Sequence, residues 1–293
     1  MGKIVRCITV DGSVACMATD STDIVSEMER IHKTSAVNTA ALGRLLTGAS
    51  LMGDMLKNRD DSLTLRLSGS GPAGQLVAVS DSSGNVRGYI ENPVVEIPLN
   101  SRGKLDVAGT VGRDGYLTVI KDMGMKEPYM GQVPIVSGEI AEDITSYYAV
   151  SEQIPTVCAL GVLVNPDLTV KAAGGFLINV LPFADDSVLD KLEKAIEGLE
   201  PVTQMLTNGL TPEEICRHVM KGFELDILDE SDTSYKCTCS RERMERALIS
   251  LGKKELEELS EDPETEISCD FCKSSYKFIS SQIKDLAKQA TKE

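Results

Sequence analysis

Two cysteine pairs near the C-terminus, Cys237-x-Cys239 and Cys269-x-x-Cys272, stand with 29 residues between them. They constrain the fold because the tail that carries them, residues 236–293, has few large apolar groups of its own. A unit that small rarely folds without a staple. Four cysteinates complete the tetrahedron of a structural zinc ion. Cys269-x-x-Cys272 has common ligand spacing. In Cys237-x-Cys239, residues i and i+2 of an extended segment point to one face, so both sulfurs can reach one ion. The two histidines of the chain, His32 and His218, lie outside the tail. The candidate metal ligands are therefore Cys237, Cys239, Cys269 and Cys272, holding one zinc ion per chain.

Such an ion would contribute on the order of 10–16 kcal/mol to folding. Its thiolate ligands are also the form that oxidants attack. If the metal leaves, each pair is placed to close locally, as 237–239 and 269–272. Those loops are too small to constrain the chain much, and they would not join the two halves of the tail. An inert clamp and an oxidation-triggered switch both fit these four residues.

The first 30 residues hold no long apolar stretch behind a basic start, and VCALGVLV at 157–164 is too short to span a bilayer. Arg6 stands where the myristoylation pattern needs Ser or Thr. A cytoplasmic protein without a membrane partner is expected. In that compartment paired cysteines read as metal-binding or redox-sensing. Net charge is −15. Residues 1–180 carry 15 Lys/Arg against 20 Asp/Glu, and residues 181–293 carry 15 against 25. That surface repels phosphate backbones and argues against a nucleic-acid partner.

The periodicity predicts an α+β fold in three parts. Residues 1–180 form a core of antiparallel sheets with packed helices. KIVRCITVDGSVACMAT reads as a hairpin around Asp11-Gly12. Ser21 and Ser35 are candidate caps for two helices, the second running through AVNTAALGRLLTGASLMGDML. SLTLRLSG, QLVAVSD, NVRGYIEN, GYLTVIKD, PTVCALGVLVN and LTVKAAGGFLINV read as strands, and 139–152 as a helix. After Pro182 the strands are expected to stop. Residues 181–235 read as a helical linker, either metastable or packed as a layer on the core. Thr211 to Glu214 resembles a capping box. Residues 236–293 form the zinc-binding tail, with a helix capped by Ser240 and ended by Gly252.

Other motifs point away from catalysis. Gly69-Ser70-Gly71-Pro72-Ala73-Gly74 matches GxGxxG, but QLVAVSD continues as a strand where a helix should open, so a turn is the better reading. No P-loop, GxSxG or HExxH occurs, and no catalytic or cofactor-binding residue is assigned. Cys7, Cys16, Cys158 and Cys216 read as apolar packing residues; the first hairpin could bring Cys7 and Cys16 together, but in a cytoplasmic chain they read as free thiols. Met123, Met125 and Met130 fit core or edge packing better than an adaptable binding surface. Two other functions compete with the switch. A zinc-ribbon adaptor for nucleic acid or protein needs a basic face, yet residues 240–268 hold five basic and nine acidic residues. A thiol–disulfide oxidoreductase needs its CxxC at a helix start in a βαβ context, which is missing here.

The cysteine order, together with VGRDGYLTVIKDMGMKEPYMGQVPIVSGEIAEDITSYYAVSEQIPT at 111–156, NVRGYIENP at 85–93 and GGFLINVLP at 174–182, resembles the heat-shock protein 33 family of redox-regulated bacterial chaperones. The resemblance covers essentially the whole chain. It implies an ATP-independent holdase rather than an enzyme. Its reduced, zinc-bound form would be inactive. Oxidation would form the disulfides Cys237–Cys239 and Cys269–Cys272, expel the zinc, and unfold the tail and then the linker. The active form, usually a homodimer, would hold unfolding client proteins during oxidative stress.

Overall fold

The computed structural model describes residues 2–290. The chain divides into two compact units, Met1–Lys236 and Cys237–Glu293.

The first unit opens with the expected hairpin, β1 (Gly2–Thr9) and β2 (Val14–Asp20), followed by α1 (Thr22–His32) and α2 (Ala36–Asp54). β3 (Ser62–Ser68), β4 (Gln75–Asp81), β5 (Val86–Ile90), α3 (Val107–Val111), β6 (Tyr116–Asp122) and β7 (Tyr129–Pro134) come next. Then come α4 (Ala141–Tyr147), a π-helical turn at Tyr148–Glu152, β8 (Thr156–Val164) and β9 (Val170–Val180). The unit ends with α5 (Asp186–Ile196), α6 (Val202–Thr207), α7 (Pro212–Val219) and β10 (Leu225–Thr233). Among the described residues, two antiparallel five-stranded sheets result, ordered β10-β1-β2-β9-β8 and β5-β4-β3-β6-β7.

α2 packs on both sheets, against β4 and β5 of one and β8 and β9 of the other. Its apolar residues occur all round, as a helix with no solvent face requires, and nearly all of them are buried. Small residues permit the close approach. A Cβ on Gly48 would lie 2.5 Å from Ile144 Cδ1, and one on Gly53 would lie 2.0 Å from Ser80 Oγ. The helix starts differ from expectation at two points. Ser21 gives no side-chain cap; its hydroxyl pairs with Thr47 Oγ1 at 2.7 Å in the core. Ser35 also gives none, and its Oγ accepts from Val95 N at 3.2 Å. The glycine-rich 69–74 segment is a turn packed on α3, where Gly71 N donates to Val111 O at 2.9 Å. Met123, Met125 and Met130 are exposed, contrary to the packing reading, because their segment lies at and beyond the ends of β6 and on the edge strand β7.

The expectation that strands stop after Pro182 is corrected. Residues 181–235 hold three helices, but Leu225–Thr233 pairs with β1, from Thr9↔Leu225 to Gly2↔Thr233. The sequence LDILDESDT hides this strand because it is a sheet edge. Its acidic side chains face solvent, where Glu230 meets Lys3 at 2.6 Å and Asp229 meets Arg6. The helices form a layer on the first sheet. Val188, Leu192, Val202, Met205, Ile215 and Val219 are buried in one apolar cluster with β1, β2 and β9 side chains. α7 starts with the expected capping box, Glu214 N donating to Thr211 Oγ1 at 3.3 Å and Thr211 N to Glu214 Oε2 at 2.8 Å.

Beyond β10, residues 234–236 run beside β5. Val86 N donates to Ser234 O at 3.0 Å and Lys236 N to Val86 O at 2.7 Å. Tyr235 fastens this strap, its phenol donating to Gly88 O at 2.8 Å and lying 3.2 Å from His32 Nε2. Among the described residues no helix is long and apolar enough to cross a membrane.

The second unit contains α8 (Arg241–Leu251), α9 (Lys253–Leu259), the antiparallel hairpin of β11 (Glu264–Ser268) and β12 (Ser275–Ile279), and α10 (Ser280–Ala287). Ser240 caps α8 by accepting from Arg243 N at 3.3 Å, and Gly252 ends it with φ 107°. Its buried apolar cluster is small: Leu248, Leu256, Phe278, Ile283, Leu286 and Ala287.

Candidate metal centre

The local folds around the cysteines set their directions. Cys237 and Cys239 lie in the extended segment that Ser240 converts into α8. Cys269 and Cys272 lie in the loop of the β11–β12 hairpin, whose last paired residues are Ser268 and Ser275. That loop closes on itself through Cys269 N to Ser274 O at 2.9 Å and Lys273 N to Cys269 O at 2.8 Å. Lys273 takes a left-handed φ of 58° to complete the turn.

These elements bring all four predicted residues together. The four Sγ atoms lie within 4.8 Å of one another. Cys237 Sγ is 3.7 Å from Cys269 Sγ, and Cys239 Sγ is 3.4 Å from Cys272 Sγ. Sulfurs bound at about 2.3 Å around one tetrahedral ion would stand about 3.8 Å apart. The four thiols are free. Their separations exceed the roughly 2.05 Å of a disulfide and match a shared ion. The cluster can therefore hold a metal, and an all-sulfur donor set suits zinc or another thiophilic ion.

The electrostatics differ among the four. Burial pushes the Cys237 thiol up to about 12 and raises Cys269 as well. Burial would also raise Cys272, but the hydroxyl and backbone of Ser274 outweigh it and lower this thiol to about 7. Ser274 Oγ lies 3.2 Å from Cys272 Sγ. Tyr276, the second residue of β12, donates its phenolic hydrogen to Cys239 Sγ at 3.0 Å. That bond pushes the phenol itself up to about 12. Arg241 fixes the start of α8 against β12, with its guanidinium 4.2 Å from the Phe278 ring centroid and Nη1 donating to Lys277 O at 3.0 Å. Ser274, Tyr276 and Arg241 were not legible in the sequence; the proximity of the first two to the CxxC pair is the one signal pointing to them.

Comparison with known proteins agrees with this geometry. The family described as Hsp33 protein matches residues 2–279. The 33 kDa chaperonin of Lachnoclostridium phytofermentans is 48% identical over 284 residues, covering 97% of each chain. That of Clostridium botulinum strain Alaska E43 is 46% identical over 291 residues, covering 99% of each. The crystal structure of the 33 kDa chaperonin (heat shock protein 33 homolog) from Thermotoga maritima superposes with a TM-score of 0.90 at 38% identity, covering 98% of both chains. With its antiparallel sheets and clustered cysteines, this chain belongs to the Hsp33 family, a family of chaperones rather than enzymes.

Proposed function

We propose that this chain is a redox-regulated, ATP-independent holdase of the cytoplasm. In this reading it binds unfolding proteins during oxidative stress, acts as a homodimer when active, and has no nucleic-acid or membrane partner. The resting form is reduced, with one zinc ion on Cys237, Cys239, Cys269 and Cys272. The observation that carries the reading is the convergence of the two cysteine pairs in a unit whose own apolar cluster is small. A clamp between such pairs does work that this core cannot do alone.

Peroxide oxidises each pair to a local disulfide, Cys237–Cys239 and Cys269–Cys272, at the cost of two thiolates per bond. The sulfurs then no longer serve as ligands, and neither disulfide spans the 240–268 segment. Closure within each pair requires rearrangement, since the close sulfur contacts of 3.7 and 3.4 Å run between the pairs. The unit opens for lack of a fastening. Cys237 directly follows the Ser234–Lys236 strap, so loosening passes along the chain to β10, a charged edge strand, and to the α5–α7 layer.

The test is aggregation of a heat-unfolding client with the reduced, zinc-loaded chain and with the peroxide-treated chain. Protection is expected from the treated chain alone. Equal protection by both would refute the switch.

A further inference from the structure

The first unit holds a second group of thiols. Cys7 on β1 stands opposite Cys16 on β2, and Cys216 on α7 reaches the same point. The three sulfurs lie within 4.8 Å of one another. Cys7 is 1% exposed, Cys16 2% and Cys216 0%. Cys7 Sγ lies 3.3 Å from Cys16 O, and Cys216 Sγ lies 3.9 Å from Val5 O. Around them are Val14, Ala18, Phe176, Ile178, Ile215 and Val219.

Packing alone asks for small apolar groups here, not for three sulfurs converging from three elements. A metal on three thiolates would place net negative charge in this apolar cluster. The cation that acts on Cys7, Arg217, is already paired with Glu213 at 2.8 Å. A disulfide is neutral and suits the site. Cys16 is a poorer partner for Cys7, because the two face each other across paired strands that are each held by a further strand. α7 is a short helix packed on the sheet through its side chains, outside the strand ladder. We propose that Cys7 and Cys216 form a disulfide that fastens α7 to β1, making this trio a second oxidation site that limits opening of the α5–α7 layer.

The chemistry balances with peroxide as the oxidant. The Cys7 thiolate attacks one peroxide oxygen, giving a sulfenic acid and releasing hydroxide. The Cys216 thiol then attacks the Cys7 sulfur; the S–O bond breaks, water leaves, and its proton balance is closed by the hydroxide. Two thiols are oxidised and one peroxide becomes two waters. Cys16 and Cys216 can both donate to the Cys7 sulfur, which draws its thiol below the usual range. The trio is buried, whereas Cys237, Cys239 and Cys272 are partly exposed, so the four-cysteine cluster reacts first. The disulfide site stands on geometry alone; its regulatory meaning rests on the proposal that the layer loosens when the chain is active. A disulfide of typical strength lowers the opening equilibrium of α7 on the order of a hundredfold.

The experiment uses the full, zinc-loaded chain and its Cys216→Ala variant, treated with peroxide under mild heating. Peptides are mapped without reduction, and hydrogen exchange is followed at α7 amides. Expected are a Cys7–Cys216 peptide that appears after the four-cysteine cluster has reacted, and α7 exchange on the order of a hundredfold slower than in the variant. Thiol reductant should reverse both in the unaltered chain, a control that stands even if the variant folds poorly. A Cys7–Cys16 peptide, three free thiols, or a metal ion retained after the four-cysteine cluster is oxidised would each overturn the proposal. In the aggregation assay, the variant should remain protective several-fold longer under prolonged peroxide; equal decay would overturn the brake. Absence of protection in every form would count against the holdase reading instead, leaving the peptide and exchange results to decide this one.

Discussion

Cys237 Sγ and Cys269 Sγ lie 3.7 Å apart although 32 positions separate them in the chain. This contact joins the segment that leads into α8 to the β11–β12 hairpin loop, and so ties the beginning of the second unit to its hairpin. Its neighbours should therefore tune how firmly the unit is held.

Tyr276→Phe removes the phenolic donor at 3.0 Å from Cys239 Sγ and leaves the ring in place. Groups that orient or stabilise a ligand in this way are worth about tenfold or more in metal affinity. Chelator competition should show zinc affinity reduced about tenfold, with peroxide-driven release correspondingly faster. Unchanged affinity would mean that the bond has no bearing on the metal.

Phe278→Ala empties the centre of the small apolar cluster, where Phe278 is fully buried against Leu248, Leu256 and Ile283. Loss of such a ring costs about 3–5 kcal/mol. Hydrogen exchange across α8–α10 should speed up markedly in the zinc-loaded chain, while the first unit keeps its protection.

Metal capture should weaken as pH falls. Without metal, Cys237 at about 12 and the raised Cys269 keep their protons near neutrality, whereas Cys272 at about 7 gives up much of its own. Binding must displace the protons on Cys237 and Cys269, so affinity rises with pH by about tenfold per unit for each. Chelator competition between about pH 6 and 8 should show a slope of at least about two protons per ion. A flat profile would contradict this ordering of the thiols.

Tyr235→Phe removes the hydroxyl that donates to Gly88 O at 2.8 Å and meets His32. A hydrogen bond of this kind contributes about 0.5–1.5 kcal/mol. The amide of Lys236, bonded to Val86 O, should exchange about three- to tenfold faster, and the lag before protection should shorten.

The parts legible in the sequence were those whose signals are local. α2 announces itself by apolar residues on every face, and β1–β2 by an Asp-Gly turn between strand-like runs. The CxC and CxxC pairs are also local patterns, and they name their own residues. What was hidden depends on distant partners. β10 is acidic because it is an edge strand, so LDILDESDT shows no alternation until β1 is placed beside it. Ser21 looked like a cap because its competitor, Thr47, lies a helix away. Cys216 joins Cys7 and Cys16 only once α7 is laid on the sheet, a contact across some two hundred positions that no spacing rule encodes. Tyr276 has no motif at all; the hairpin register alone aims it at Cys239.

The most direct measurement follows zinc release and suppression of client aggregation together in one sample during peroxide treatment. The two traces should rise with the same time course, with about one zinc ion released per chain and no protection before release. Full protection while the metal is still bound, or complete release with no gain in protection, would contradict the clamp as the switch.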